Sequence, residues 1–88
     1  MGRSELNALE CAAKEPNQAS GEICFKLGMF YSIGGPVPAD KVAAHKWFNL
    51  AAARGNREAA NYRRELAVEM SAHEIAVAQR AAREWIAA

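Results

Sequence analysis

Residues 31–40, with the sequence YSIGGPVPAD, are the strongest turn signal in the chain. They contain two of its six glycines and two of its three prolines, between segments rich in alanine and aromatic residues. Glycine adopts positive φ easily, and proline cannot donate a backbone hydrogen bond, so this stretch interrupts regular structure. It lacks the Lys-Ser or Lys-Thr of a phosphate-binding loop and the preceding strand of a dinucleotide fingerprint. The pattern therefore favours a corner between two helices over a loop that holds a ligand.

The segments around this corner repeat apolar residues with helical spacing, and none alternates apolar and polar residues as a strand does. We therefore expect an all-α fold of about five helices. The second helix has two apolar stripes, Ile23, Leu27 and Tyr31 in one and Phe25, Met29 and Ile33 in the other. A helix that is apolar around most of its circumference must be covered on two sides. The fourth helix is predicted to be amphipathic, with Ala59, Tyr62, Leu66 and Met70 inward, and the fifth has a stripe of Ile75, Ala78, Ala82 and Trp85.

Capping residues predict where the helices begin and end. Ser4 is expected to cap a first helix that stops at Pro16 and Asn17. The second helix is expected after Ser20, and further N-caps are predicted at Asp40, Asn56 and Ser71. Ser71 forms a capping box with Glu74, and Gly55 is placed to end the third helix in a left-handed conformation.

The size and charge of the chain limit its role. Its 88 residues suit one small domain, and much of the 51% hydrophobic content is alanine, so packing against a partner or a second copy would help stability. Eleven basic and ten acidic residues almost cancel, which argues against nucleic acid or a membrane surface as a partner. Without a signal peptide or an apolar run of spanning length, a cytoplasmic protein is expected.

Residues that carry chemistry are few. Cys11 and Cys24 lack the spacing of a redox or zinc site, so we expect two buried reduced thiols, with a disulfide as the alternative. His45 and His73 are both expected at the surface or at a helix end. His73 begins a His-Glu-x-x-His zinc pattern that Val77 breaks. We therefore predict no catalytic residue, no metal site and no cofactor.

A weak internal repeat indicates a modular chain. Ala44-x-x-Trp47 is echoed by Ala82-x-x-Trp85, thirty-eight residues later. Periods of this size are typical of solenoids, in which each pair of helices buries its apolar face against its neighbours.

Residues 23–59 carry an ordered series of short motifs. These are Leu27-Gly28-x-x-Tyr31, Gly34, Val37-Pro38-x-Asp40, Ala44-x-x-Trp47, Ala51-Ala52-x-x-Gly55 and Ala59. In this order they resemble the Sel-one-like repeat, a relative of the tetratricopeptide repeat, over about two fifths of the chain. Pro36 departs from the family pattern, which usually has glycine there, and we expect a stiffer turn with the same topology.

The resemblance implies a short right-handed solenoid of antiparallel helix-turn-helix hairpins within a single domain, residues 1–88. Residues 4–16 would be an N-terminal half-unit, residues 20–55 a complete repeat and residues 56–88 a degenerate capping pair of helices.

The motif residues have physical roles in such a repeat. Gly28 would lie where the second and third helices approach most closely, and Ala44 and Ala51 would keep that approach tight. Trp47 would fill the space between units, and Val37 would plug the corner between the two helices.

The family's usual role predicts a non-catalytic protein interaction module. Its groove for another protein or a peptide would use the second stripe of the second helix, while Trp85 is a second candidate contact. The candidate partner-binding residues are Phe25, Lys26, Met29, Ser32, Ile33 and Trp85. The alternative for this stripe is coverage by the first or fourth helix. Alternatives for the whole chain are a structural homo-oligomer, a piece of a longer solenoid or, third, an enzyme related to cysteine-rich relatives that bind β-lactams.

Overall fold

The computed structural model of the protein describes residues 2–15 and 19–87. These residues form five α-helices and no β-strand, which confirms the predicted all-α fold. The helices are α1 (Arg3–Ala12), α2 (Gly21–Ile33), α3 (Lys41–Ala53), α4 (Arg57–Val68) and α5 (Ala72–Ala87). The predicted stop at Pro16 and Asn17 lies outside the described residues.

Side-chain caps fix the start of four helices, as predicted. The side chains of Ser20, Asp40, Asn56 and Ser71 each accept the backbone N–H three residues further on, at 3.0 to 3.1 Å. Glu74 completes the capping box, since its Oε1 atom accepts the N–H of Ser71 at 2.9 Å. These bonds satisfy N–H groups that have no partner within their own helix.

The start of α1 differs from the prediction at Ser4. The N-cap is Gly2, whose backbone is extended and whose carbonyl oxygen accepts the N–H of Leu6 at 3.2 Å. Among the described residues, no side chain caps this end. Ser4 therefore lies inside the first turn, and the helix ends at Ala12, earlier than predicted.

Gly55 ends α3 as predicted, because its φ of +97° is open to glycine but costly for other residues. The N–H of Gly55 bonds to the carbonyl of Ala52, and the N–H of Asn56 bonds to that of Ala51, both at 3.0 Å. This pair of bonds is a Schellman motif, and it turns the chain directly into the cap of α4.

The turn-rich stretch at 31–40 is a corner between α2 and α3, as predicted. Gly34 leaves the helix with a φ of +89°. The N–H of Asp40 bonds to the carbonyl of Tyr31 at 2.8 Å, which ties the two ends of the corner together. Arg3 of α1 donates to the carbonyl of Pro36 at 2.7 Å, and Val37 packs partly against the core.

The central helix of the fold is α3, which packs against α2, α4 and α5, whereas α1 packs on α2. Within the described residues, α4 and α5 have far fewer contacts with each other than with α3. Rings from three helices meet in one aromatic cluster, Phe25, Phe48 and Tyr62, with centroids 5.5 to 5.9 Å apart. The core is therefore organised around one helix.

Gly28 marks the close approach of α2 and α3 that the sequence predicts. A Cβ atom at this position would lie 2.5 Å from the Cδ1 and Cε1 atoms of Phe48. Ala44 and Ala51 are fully buried on α3. Small residues therefore let the ring of Phe48 lie directly against the backbone of α2.

Candidate functional site

A cleft of about 550 Å³ lies at the corner between α2 and α3, beside the start of α5. Its lining comes from three parts of the chain and consists of Tyr31, Val37, Pro38, Ala39, Asp40, Lys41, Val42 and Glu74. Its volume is within the range of small-molecule and side-chain binding sites. The corner thus forms one wall of a concave surface.

Every charged side chain of this cleft already has a structural partner. Asp40 caps α3, and Glu74 accepts the N–H of Ser71 in the capping box. Lys41 pairs with Glu69 at 3.2 Å. The carboxylates of Asp40 and Glu74 are therefore held in place by backbone N–H groups at the starts of α3 and α5.

Tyr31 gives the cleft an aromatic wall. Its hydroxyl group donates a hydrogen bond of 2.5 Å to Oε2 of Glu10 in α1. This bond, burial and the charge of Glu10 raise the pKa of Tyr31 to about 12. The phenol therefore stays protonated at neutral pH, with its polar end already satisfied.

The predicted stripe on α2 lies away from this cleft. Phe25 contacts Phe48 and Tyr62, so α4 covers this end of the stripe. Met29 is half-buried, whereas Ile33 is 63% exposed. Residues two positions apart on a helix are about 200° apart, so Met29 and Ile33 point away from Tyr31.

The polar residues of the same predicted site are on the surface. Lys26 is exposed and pairs with Glu22 at 3.3 Å, one turn earlier in α2. Ser32 is exposed near the end of that helix. Exposed pairs of this kind contribute little to stability.

Trp85 contacts the body of the fold. Its Nε1 atom donates to the carbonyl oxygen of Ala13 at 3.1 Å, and its ring meets Trp47 edge-on with centroids 5.6 Å apart. Arg54 lies over the ring, 5.3 Å from its centroid. This predicted contact residue therefore links α5 to α3 and to the turn after α1.

His45 is buried, which corrects the prediction that it lies at the surface or at a helix end. It is only 3% exposed, and within the described part of the chain its Nδ1 atom has no hydrogen-bond partner. Burial lowers the pKa of His45, and the positive charge of Arg63 on α4 lowers it further. The prediction was wrong because helical spacing alone did not show that α3 would be packed against three other helices, α2, α4 and α5. His73 is exposed at the start of α5.

Only one of the two cysteines is buried. Cys24 lies fully in the core and Cys11 is exposed, and both thiols are free. The expectation of two buried thiols is therefore wrong for Cys11. Burial raises the pKa of Cys24 although Arg54 and Lys46 oppose the shift, which is the reverse of what an activated thiol nucleophile needs.

Residues 2–15 and 19–87 contain no group of three His, Cys, Asp or Glu side chains that could hold a metal ion. None of the helices within these residues is both long and apolar enough to cross a membrane.

Comparisons of the chain with protein-family models, curated proteins and solved structures found no match. The resemblance of residues 23–59 to the Sel-one-like repeat thus stays a prediction.

None of the eight residues that line the cleft was predicted from the sequence to bind a partner. Tyr31, Val37 and Asp40 were recognised, but only as structural motif residues. The Val37-Pro38-x-Asp40 motif could have indicated one wall of the cleft. Glu74 follows more than thirty residues later, and nothing in its spacing shows that α5 begins beside the corner.

Proposed function

We propose that the protein is a non-catalytic interaction module that binds a segment of another protein in the cleft between α2, α3 and the start of α5. The single observation that carries this proposal is the composition of the cleft. Tyr31, Val37 and Val42 supply apolar surface, and the charged side chains around them are already held by caps and an ion pair. Such a surface suits recognition better than chemistry.

The packing of the helices supports the same proposal. In a solenoid of helical pairs, the second helix of a unit contacts its own partner and both helices of the next unit. The contacts of α3 with α2, α4 and α5 fit this arrangement, whereas α4 and α5 have far fewer contacts with each other than the two helices of one unit would. We therefore propose a short Sel-one-like solenoid, in which the corner of the complete repeat, residues 20–55, carries the binding site.

The chemistry of the remaining candidate residues favours binding over catalysis. A thiol nucleophile needs a lowered pKa, whereas burial raises that of Cys24. A general base must reach solvent or substrate, whereas His45 is only 3% exposed.

Selection from a random peptide library against the immobilised full chain tests this proposal. The enriched peptides are then measured against two variants that add the same side chain. Ala39→Tyr fills the cleft, whereas Ala53→Tyr adds the ring at an exposed position at the end of α3.

We expect the enriched peptides to bind the unchanged chain and Ala53→Tyr alike and to bind Ala39→Tyr at least about tenfold more weakly, a loss of about 1.4 kcal/mol. Circular dichroism of both variants verifies that they remain folded. The proposal fails if no sequence is enriched or if both tyrosine variants bind equally.

A further inference from the structure

We infer that the segment bound in this cleft presents a basic side chain, an arginine or a lysine, between apolar neighbours. This inference rests on the proposed function and narrows its partner to a cationic peptide segment. It follows from the charges at the rim of the cleft together with the shape of its apolar walls.

The rim of the cleft is negative although the whole chain is almost neutral, with a net charge of +1. Asp40 and Glu74 line the cleft, Glu69 pairs with Lys41, and Glu10 holds the hydroxyl group of Tyr31. Lys41 is the cation among the lining residues, and Arg3 is bonded to the backbone of the corner. The lining thus has two carboxylates and one cation, and that cation is already paired with Glu69, which favours a positive group in the cleft.

The positions of Asp40 and Glu74 are fixed before any partner binds. Each uses one carboxylate oxygen to accept a backbone N–H, at 3.1 Å for Asp40 and 2.9 Å for Glu74. A carboxylate has more acceptor sites than one such bond occupies. A basic group can therefore bind without the cost of ordering these two side chains.

The walls of the cleft suit the aliphatic part of a basic side chain. Val37 and Val42 offer apolar contact to its methylene groups, and the hydroxyl of Tyr31 is already bonded to Glu10. Long basic side chains place their stems on apolar surface while the charged end stays near solvent and acceptors. An aromatic ring adds attraction for a cation above its face.

Three matched peptides test the inference on the full chain. Each is capped at both ends and has two leucines around a central residue, which is arginine, glutamine or glutamate. Binding is measured by titration at low and high salt. The charge alone is removed from the cleft by Asp40→Asn and Glu74→Gln, because asparagine remains a good N-cap and glutamine still completes a capping box.

Glu58→Gln is the matched control, since it removes one exposed negative charge from α4, at a residue that does not line the cleft. We expect the arginine peptide to bind, the glutamine peptide to bind more weakly and the glutamate peptide to bind least. Each charge-only variant in the cleft should weaken the arginine peptide by about two- to fivefold, within the range of partly exposed ion pairs. Glu58→Gln should leave its affinity unchanged.

The dependence of peptide affinity on salt concentration tests the role of these charges independently. Raising the ionic strength from about 0.01 M to about 1 M shortens the Debye length from about 30 Å to about 3 Å, so the preference for arginine should shrink. Equal affinity for the three peptides, or an effect of Glu58→Gln as large as that of Asp40→Asn, would overturn the inference.

The two proposals fail differently. If peptides bind Ala39→Tyr more weakly but show no preference for a basic residue, the inference is wrong and the proposal of an interaction module is still supported. Association of the chain with itself through the cleft, detected by light scattering and lost in Ala39→Tyr, also overturns the inference because a second copy would then be the occupant.

Discussion

Gly28 is the residue at which one added methyl group should matter most. Gly28→Ala places a Cβ atom 2.5 Å from the ring of Phe48, and that ring is buried and cannot move freely. Overpacking of this kind costs about 1–3 kcal/mol, against about 1 kcal/mol gained in helix propensity. We expect urea unfolding to show a net loss of stability. Ser32→Ala, at an exposed position of the same helix, should cause no such loss.

His45 should make the stability of the fold depend on pH. Burial and Arg63 lower its folded pKa below the ordinary 6.5, so the unfolded chain binds more protons between these two values. The free energy of unfolding is therefore highest above pH 6.5 and falls as the pH decreases toward the lowered pKa.

Urea unfolding between pH 7.5 and pH 5 measures how the free energy of unfolding changes with pH. In His45→Gln, the part of this pH dependence that comes from His45 should be absent. His73→Gln changes an exposed histidine and should leave it in place. If the free energy of unfolding of His45→Gln depends on pH as it does in the unchanged chain, His45 is not the source of this pH dependence.

At the scale of helices, most of the structure could be predicted from the sequence because its signals are local. The caps at Asp40 and Asn56 and the Schellman end at Gly55 depend on residues only a few positions apart. The error at Ser4 has the same origin, since Gly2 supplies the extended backbone that begins α1 two residues earlier. Nearby residues determine where a helix starts and stops, whereas they do not determine which face of one helix packs against another.

The attachment of α5 can be tested at Trp85. Trp85→Phe keeps an aromatic ring beside Trp47 and removes the hydrogen bond to Ala13, which should cost about 1 kcal/mol. Trp85→Ala also removes the ring packing and should cost more. Hydrogen exchange should show faster opening of the last turns of α5 in both variants. Equal protection in Trp85→Ala and the unchanged chain would mean that this contact does not hold the helix.

For the whole molecule, the central position of α3 predicts that the fold is lost as one unit. Phe48 contacts the aromatic residues of α2 and α4 and is 1% exposed, so Phe48→Ala should cost about 3–5 kcal/mol. Small domains have only about 5–15 kcal/mol in total. Thermal unfolding should therefore show a single transition at much lower temperature. Ile33→Ala, at a residue that is 63% exposed, is the control.

The candidate site could be predicted only in part, because it depends on contacts that are distant in the sequence. The corner from Tyr31 to Asp40 was evident, but Glu74 reaches it only because α5 packs on α3. The stripe of Phe25, Met29 and Ile33 could not be assigned to core or surface until Tyr62 of α4 was seen to cover Phe25.

The proposed binding site for a partner segment is the corner between α2 and α3. Backbone amide NMR of the full chain, titrated with a library-selected peptide, tests it most directly. We predict saturable shifts that cluster at Val37, Val42 and Glu74 and disappear in Ala39→Tyr. Shifts centred instead on Met29 and Ile33, or no saturable shift at any amide, would contradict this proposal.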